Sequence, residues 1–153
     1  MSAADYTAPM DRALQLAQAA ADAGEVPVGA VVLDADGRTI AEAANAPIAG
    51  HDPTAHAEVL ALRRAGEALG NYRLPDCTLV VTLEPCTMCA AAISHARVKR
   101  VVYGASDPKG GAVESGVRFF EAPTCHHKPE VVSGVRAGEA SALLKGFFRA
   151  RRR

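Results

Sequence analysis

His56-Ala57-Glu58 and, about thirty residues further on, Pro85-Cys86-Thr87-Met88-Cys89 are the two segments that most constrain how this chain folds. Imidazole and thiolate are ligands for the same kind of metal ion, so a chain that uses both must leave the first segment and return to the same point. Cys86 and Cys89, three apart, share one face of a helix that begins near Pro85, a residue suited to a first turn. His56 and Glu58, two apart, diverge on a regular helix and are expected in an irregular first turn after Asp52-Pro53-Thr54. Two helix starts facing one ion is the arrangement to look for.

The residue types point to zinc with an open position. Structural zinc is held by four protein ligands, catalytic zinc by three with water in the fourth place. His56, Cys86 and Cys89 supply three, and Glu58 is left over. The cation lowers the pKa of bound water from about 15.7 towards 7, and a helix N-terminus favours thiolate over thiol. Hydrolysis at an aromatic C–N centre also needs a group that takes the water proton, delivers it to a ring nitrogen and protonates departing ammonia. Glu58 suits that task, and no organic cofactor is needed. Duller readings stand beside this one. Glu58 can be a first-turn acid worth about 0.3–1 kcal/mol against the helix dipole. A redox pair of Cys86 and Cys89 needs neither His56 nor Glu58. A fourth ligand from His51, His95, His126 or His127 closes the site and leaves Glu58 without work.

H-x-E followed by P-C-x-x-C is a signature of zinc nucleobase deaminases. Beyond it, residues 24–31, 45–48, 51–58, 71–74, 82–86, 102–111 and 147–152 resemble the bacterial tRNA-specific adenosine deaminases. The resemblance implies a homodimer with one Zn²⁺ per subunit that converts adenosine to inosine at the wobble position of a tRNA anticodon, releasing ammonia. The expected partner is an anticodon stem-loop, that of an arginine-accepting tRNA. Carried over residue by residue, His56, Cys86 and Cys89 are metal ligands and Glu58 is the catalytic proton carrier. Asn45 binds the flipped base, and Asp107 and Lys109 lie by the ribose and phosphates. The bland alternative for Asn45 is a turn amide, and for Lys109 a plain loop lysine. The chain departs from the family pattern at Ser106, where Arg is familiar, and at His126-His127-Lys128. Two rival functions share the motif: a deaminase of a free nucleobase or nucleoside such as guanine or cytosine, and a silent RNA-binding or structural zinc module.

The 153 residues, 49% hydrophobic, suffice for one domain spanning 1–153 with a basic tail at about 149–153. Formal charge is zero, so phosphate contacts depend on local clusters: Arg97, Lys99 and Arg100, and the terminal Arg149, Arg151, Arg152 and Arg153. No signal-like or membrane-spanning run is evident, and a cytoplasmic protein without a disulfide framework is expected. Helix-like spacing over 13–23 ends at Gly24. Segments 26–33 and 39–44 around an Asp-Ala-Asp-Gly turn form an antiparallel hairpin, and 45–53 is a loop. Strands at 78–82 and 98–103 flank the Cys86 helix as a parallel crossover. Residues 105–111 form a loop over the site, 130–135 a further strand, and 138–150 a closing helix with Phe147 and Phe148 in the core. Together with the resemblance, this order gives an α/β fold: a three-layer α/β/α cytidine-deaminase-like architecture with a five-stranded mixed sheet.

Overall fold

Among residues 3–152, which the computed structural model describes, five strands form one sheet with helices on both faces. Helix α1 (Thr7–Asp22) starts earlier than the 13–23 segment read from spacing. Pro9 lies in its first turn, where the missing N–H is one that has no intrahelical acceptor anyway, so the proline does not break it. Strand β1 (Gly29–Leu33) begins three residues later than expected. Pro27 has no N–H to give a neighbour, and the Val28 N–H turns back to the Val26 carbonyl at 2.9 Å. A Cβ at Gly29 would lie 2.0 Å from the Ala13 carbonyl oxygen, so this position lets α1 lie directly on the strand.

Strand β2 (Thr39–Ala44) pairs antiparallel with β1, as the hairpin reading required, with a register shift at Val32/Leu33. The turn between them is held by the Asp34 carboxylate, which accepts the N–H groups of Asp36 and Arg38 at 2.9 Å. Within the expected loop 45–53 the structure contains a single helical turn, α2 (Pro47–Gly50), seeded by Pro47 at its start. Helix α3 (Ala57–Leu69) follows. Strand β3 (Thr78–Leu83), helix α4 (Thr87–Ala96) and strand β4 (Arg100–Ala105) make the parallel crossover. Strand β5 (Glu130–Val132) is shorter than 130–135 because Gly134, at φ +83°, takes the backbone out of the extended region. Helix α5 (Ala137–Arg151) closes the chain, and the sheet order is β2-β1-β3-β4-β5, with β1 antiparallel to β3.

Alternate strand residues build two cores. Val31, Val80 and Val102 face Met10 and Ala13 of α1 and Val135 before α5. Ala30, Val32, Leu79, Val81, Val101 and Tyr103 face Ala61, Leu62 and Ala65 of α3 and Ala90 and Ile93 of α4. Period-two alternation with both faces covered is the three-layer α/β/α arrangement. Each fully buried valine or isoleucine contributes about 1.5–3 kcal/mol.

The topology also sets the site. Strands β2, β3 and β4 run in the same direction, since β2 and β3 are both antiparallel to β1 and β4 is parallel to β3. Their carboxyl ends therefore share one edge, and from it project Asn45, the 84–86 segment and the loop after Ala105. The Arg97–Arg100 cluster is at the opposite end, where Arg100 bonds Glu130 and, at 2.6 Å, the Tyr6 hydroxyl. Phe148 is 44% exposed and Phe147 half-buried, so the pair does not form core. Neighbouring positions on α5 point different ways, and Arg151 covers the Phe147 ring at 4.6 Å. The helix carries Arg149 and Arg151 to its last turn, where cations complement its dipole, and Arg153 lies outside the described residues.

Candidate metal centre and its rim

Cys86 has extended backbone angles and occupies the cap position of α4, with Cys89 in the first turn, so the helix starts two residues later than Pro85 suggested. His56 occupies the same position on α3, also extended, and Glu58 is in that first turn. The irregular entry lets two residues only two apart serve one site. His56 Nδ1 lies 3.6 Å from Cys86 Sγ and 3.5 Å from Cys89 Sγ. Zn–S bonds of about 2.3 Å and Zn–N bonds of about 2.0–2.1 Å at tetrahedral angles imply an N···S edge of about 3.5–3.6 Å. The donor set therefore fits a zinc ion in spacing as well as in type. Among the described residues the group that could hold a metal consists of these three alone, without a fourth His, Cys, Asp or Glu.

The electrostatics of the three groups ask for a cation. A hydrogen bond from Cys89 pulls the Cys86 thiol down to about 4, with burial opposing and His56 assisting. Cys89, as the donor, is pushed up by that same bond and by burial. Ionising both sulfurs needs a positive charge between them. The hydrogen bond to Cys86 raises His56. Glu58 is 4% exposed, and burial raises its carboxyl to about 7, with Cys86 adding to the shift and His56 opposing it. A carboxyl that gains and loses a proton near neutrality is suited to acid–base work.

Asn45 is 9% exposed, and its Oδ1 accepts the Ala57 N–H at 3.2 Å, bonding the start of α3 and not its own turn. Its Nδ2 has no partner among the described residues and remains a donor at the same edge. Asp107 is half-buried, and its carboxylate accepts the N–H groups of Lys109 at 3.2 Å and Gly110 at 3.1 Å. The Lys109 side chain is exposed. Their loop is joined to the metal-ligand segment by a bridge between Cys86 and Gly111 and by the Ala112 N–H on the Pro85 carbonyl at 2.8 Å. All seven candidate residues are thus at one edge of the sheet. His51, His95 and His126 are exposed, and His127 clips α4, its Nε2 donating to the Val98 carbonyl at 2.7 Å. Ser106 donates to Glu114 at 2.7 Å.

Sequence reasoning missed two carboxylates. Glu25, 3% exposed, accepts the N–H groups of Ile48 at 3.1 Å and Ala49 at 2.8 Å. Glu84, 2% exposed, accepts from Asp107, Val113, Glu114 and Ser115 at 2.8–3.0 Å. Burial alone would raise Glu84, but these bonds outweigh it and hold the carboxyl below its usual range. The available signal was an acid abutting an apolar strand, which has to be buried and hydrogen-bonded.

Residues 4–105 match the family model described as the cytidine and deoxycytidylate deaminase zinc-binding region. The chain belongs to this deaminase family. It is 56% identical over 149 residues to a protein of Agrobacterium fabrum named tRNA-specific adenosine deaminase, covering 97% of each chain. A structure from a study of A-to-I editing by tRNA:A34 deaminases at the wobble position of transfer RNA is 58% identical, with a TM-score of 0.87 over 88% of this chain and 97% of that one. A guanine deaminase from Nitrosomonas europaea is 28% identical, with a TM-score of 0.74 over 90% of this chain and 81% of that one. As a member of the deaminase family the chain is an enzyme, and its His-Cys-Cys set fits one Zn²⁺ per subunit.

Proposed function

We propose that this deaminase converts adenosine to inosine at the wobble position of a tRNA anticodon, consuming water and releasing ammonia. The observation that carries the reading is the three-residue donor set with buried Glu58 beside it and outside it. Relatives at 56–58% identity that are named for tRNA editing favour it over the guanine deaminase at 28%.

His56, Cys86 and Cys89 would hold zinc, which as a Lewis acid would supply activation of the attacking water at neutral pH. Glu58 takes one proton of the attacking water and passes it to N1 of adenine as C6 is attacked, then takes the remaining hydroxyl proton and delivers it to the amine, which leaves as ammonia as the C6 carbonyl forms. Its buried position raises the carboxyl towards the pH at which both transfers are possible. Asn45 presents its Nδ2 donor to the purine, and its Oδ1 stays on the Ala57 N–H to fix the amide's direction. Lys109 meets phosphate, and Asp107 faces the ribose while it shapes the loop. The base must leave the stack, which costs a few kcal/mol and less in a single-stranded loop such as an anticodon.

We read residues 1–153 as one domain, acting as a cytoplasmic homodimer on an arginine-accepting tRNA. Among the described residues no helix is long and apolar enough to cross a membrane. A groove of about 690 Å³ between α3 and α4, lined in part by Leu62, Tyr72, Ala92 and Ala96, leaves Tyr72 73% exposed, surface that a second copy would cover. Incubating zinc-loaded protein with an arginine-tRNA anticodon stem-loop and sequencing the wobble base is the test. Inosine there is expected. Unchanged adenosine, with ammonia released from free guanine or cytosine instead, would establish the alternative.

A further inference from the structure

Glu84 directly follows β3, two residues before Cys86, and carries a carboxylate that is 2% exposed. No ion pair to it is found among the described residues. Its partners are all on the 107–115 loop. Oε1 accepts the Asp107 N–H at 2.8 Å and the Ser115 hydroxyl at 3.0 Å. Oε2 accepts the N–H groups of Val113 at 3.0 Å, Glu114 at 3.0 Å and Ser115 at 2.9 Å. Loop backbone wraps the carboxylate so closely that a Cβ at Gly111 would lie 2.3 Å from Glu84 Cδ. A buried carboxylate without an ion pair is costly to keep, and charge-assisted hydrogen bonds offset that cost. A neutral side chain of similar shape lacks the acceptors to take all these donors at once.

We propose that Glu84 is a positioning residue for RNA binding. It holds the 107–115 loop against the segment that carries Cys86, and so sets Lys109 and Asp107 at a fixed distance from the reacting base. The inference rests on the proposed function, since it needs that loop to meet the substrate. It separates recognition from chemistry: Glu84 acts on the loop that grips RNA, whereas Glu58 acts on the reacting atoms.

Glu84→Gln tests this, because the amide keeps the size but replaces one acceptor with a donor. Turned one way it faces the N–H groups of Val113, Glu114 and Ser115, and turned the other it faces that of Asp107. Steady-state kinetics on an anticodon stem-loop should show KM raised about tenfold and kcat changed less than about threefold, with zinc content unchanged. Lys109→Ala raises KM in the native background and adds little in the Glu84→Gln background, because both act through one loop. Should Glu84→Gln not fold, Ser115→Ala removes one bond, and its expected KM rise is about twofold to threefold. Additive effects of the two substitutions, an unaltered KM, or a kcat loss that tracks lost zinc would each overturn the proposal. If the unsubstituted protein forms no inosine on the stem-loop, the functional reading fails and takes this inference with it. A fully active parent with an indifferent Glu84 variant sinks the inference alone.

Discussion

Residues 78–105 and residues 106–135 flank the same metal centre, yet their backbones are held by different bonds. The first stretch is strand, helix and strand, with ladder hydrogen bonds and nearly every strand residue buried. The second contains one three-residue strand and one 3₁₀ turn, and much of its backbone bonds to side chains such as Glu84 and Ser94. A periodic segment fixes a floor, and a loop wrapped on a buried carboxylate fixes a rim. Chemistry is expected to depend on the floor, and affinity for RNA on the rim.

Stripping the metal is the most severe way to sharpen that contrast. Chelation should abolish ammonia release, and added zinc should restore it, as read by activity alongside metal content. Next comes Glu58→Ala, which should keep zinc and lose about 10²–10⁴-fold in kcat. Metal retained with near-normal inosine formation would break the assignment. Asn45→Ala should lower kcat/KM about 10–100-fold, and loss of its bond to the Ala57 N–H should cost about 1 kcal/mol of stability, measurable by denaturant titration. Lys109→Ala, on the rim, should weaken stem-loop binding about threefold at unchanged kcat and reduce the salt slope of binding by about one. Smallest of all, Phe148→Ser should shift stability by less than about 0.5 kcal/mol, because the ring is 44% exposed.

What could be read from the chain follows the same division. The hairpin reading around the Asp-Ala-Asp-Gly turn placed Thr39–Ala44 to the residue, and His56, Cys86 and Cys89 announced the metal centre before any coordinate. Ends were less legible where a proline changed meaning with position, as at Pro9 inside α1 and Pro27 before β1. Phe147 and Phe148 are apolar by type, but hydrophobicity does not say which side of α5 has a neighbour. Asn45, Asp107 and Lys109 came from resemblance, and their shared edge follows from the direction of β2, β3 and β4. Glu25 and Glu84 escaped because their partners are backbone N–H groups, which every residue but proline carries and which leave no trace in composition.

The two helix starts at His56 and Cys86 come together only when β1 and β3 have paired. An unfolded chain has the same three donors but scatters them, so it competes poorly for the ion. Ion supply is thereby coupled to thermal endurance: above the dissociation constant, every tenfold rise in free zinc adds about 1.4 kcal/mol to the margin against melting. A cell short of zinc would lose the fold's reserve together with its activity.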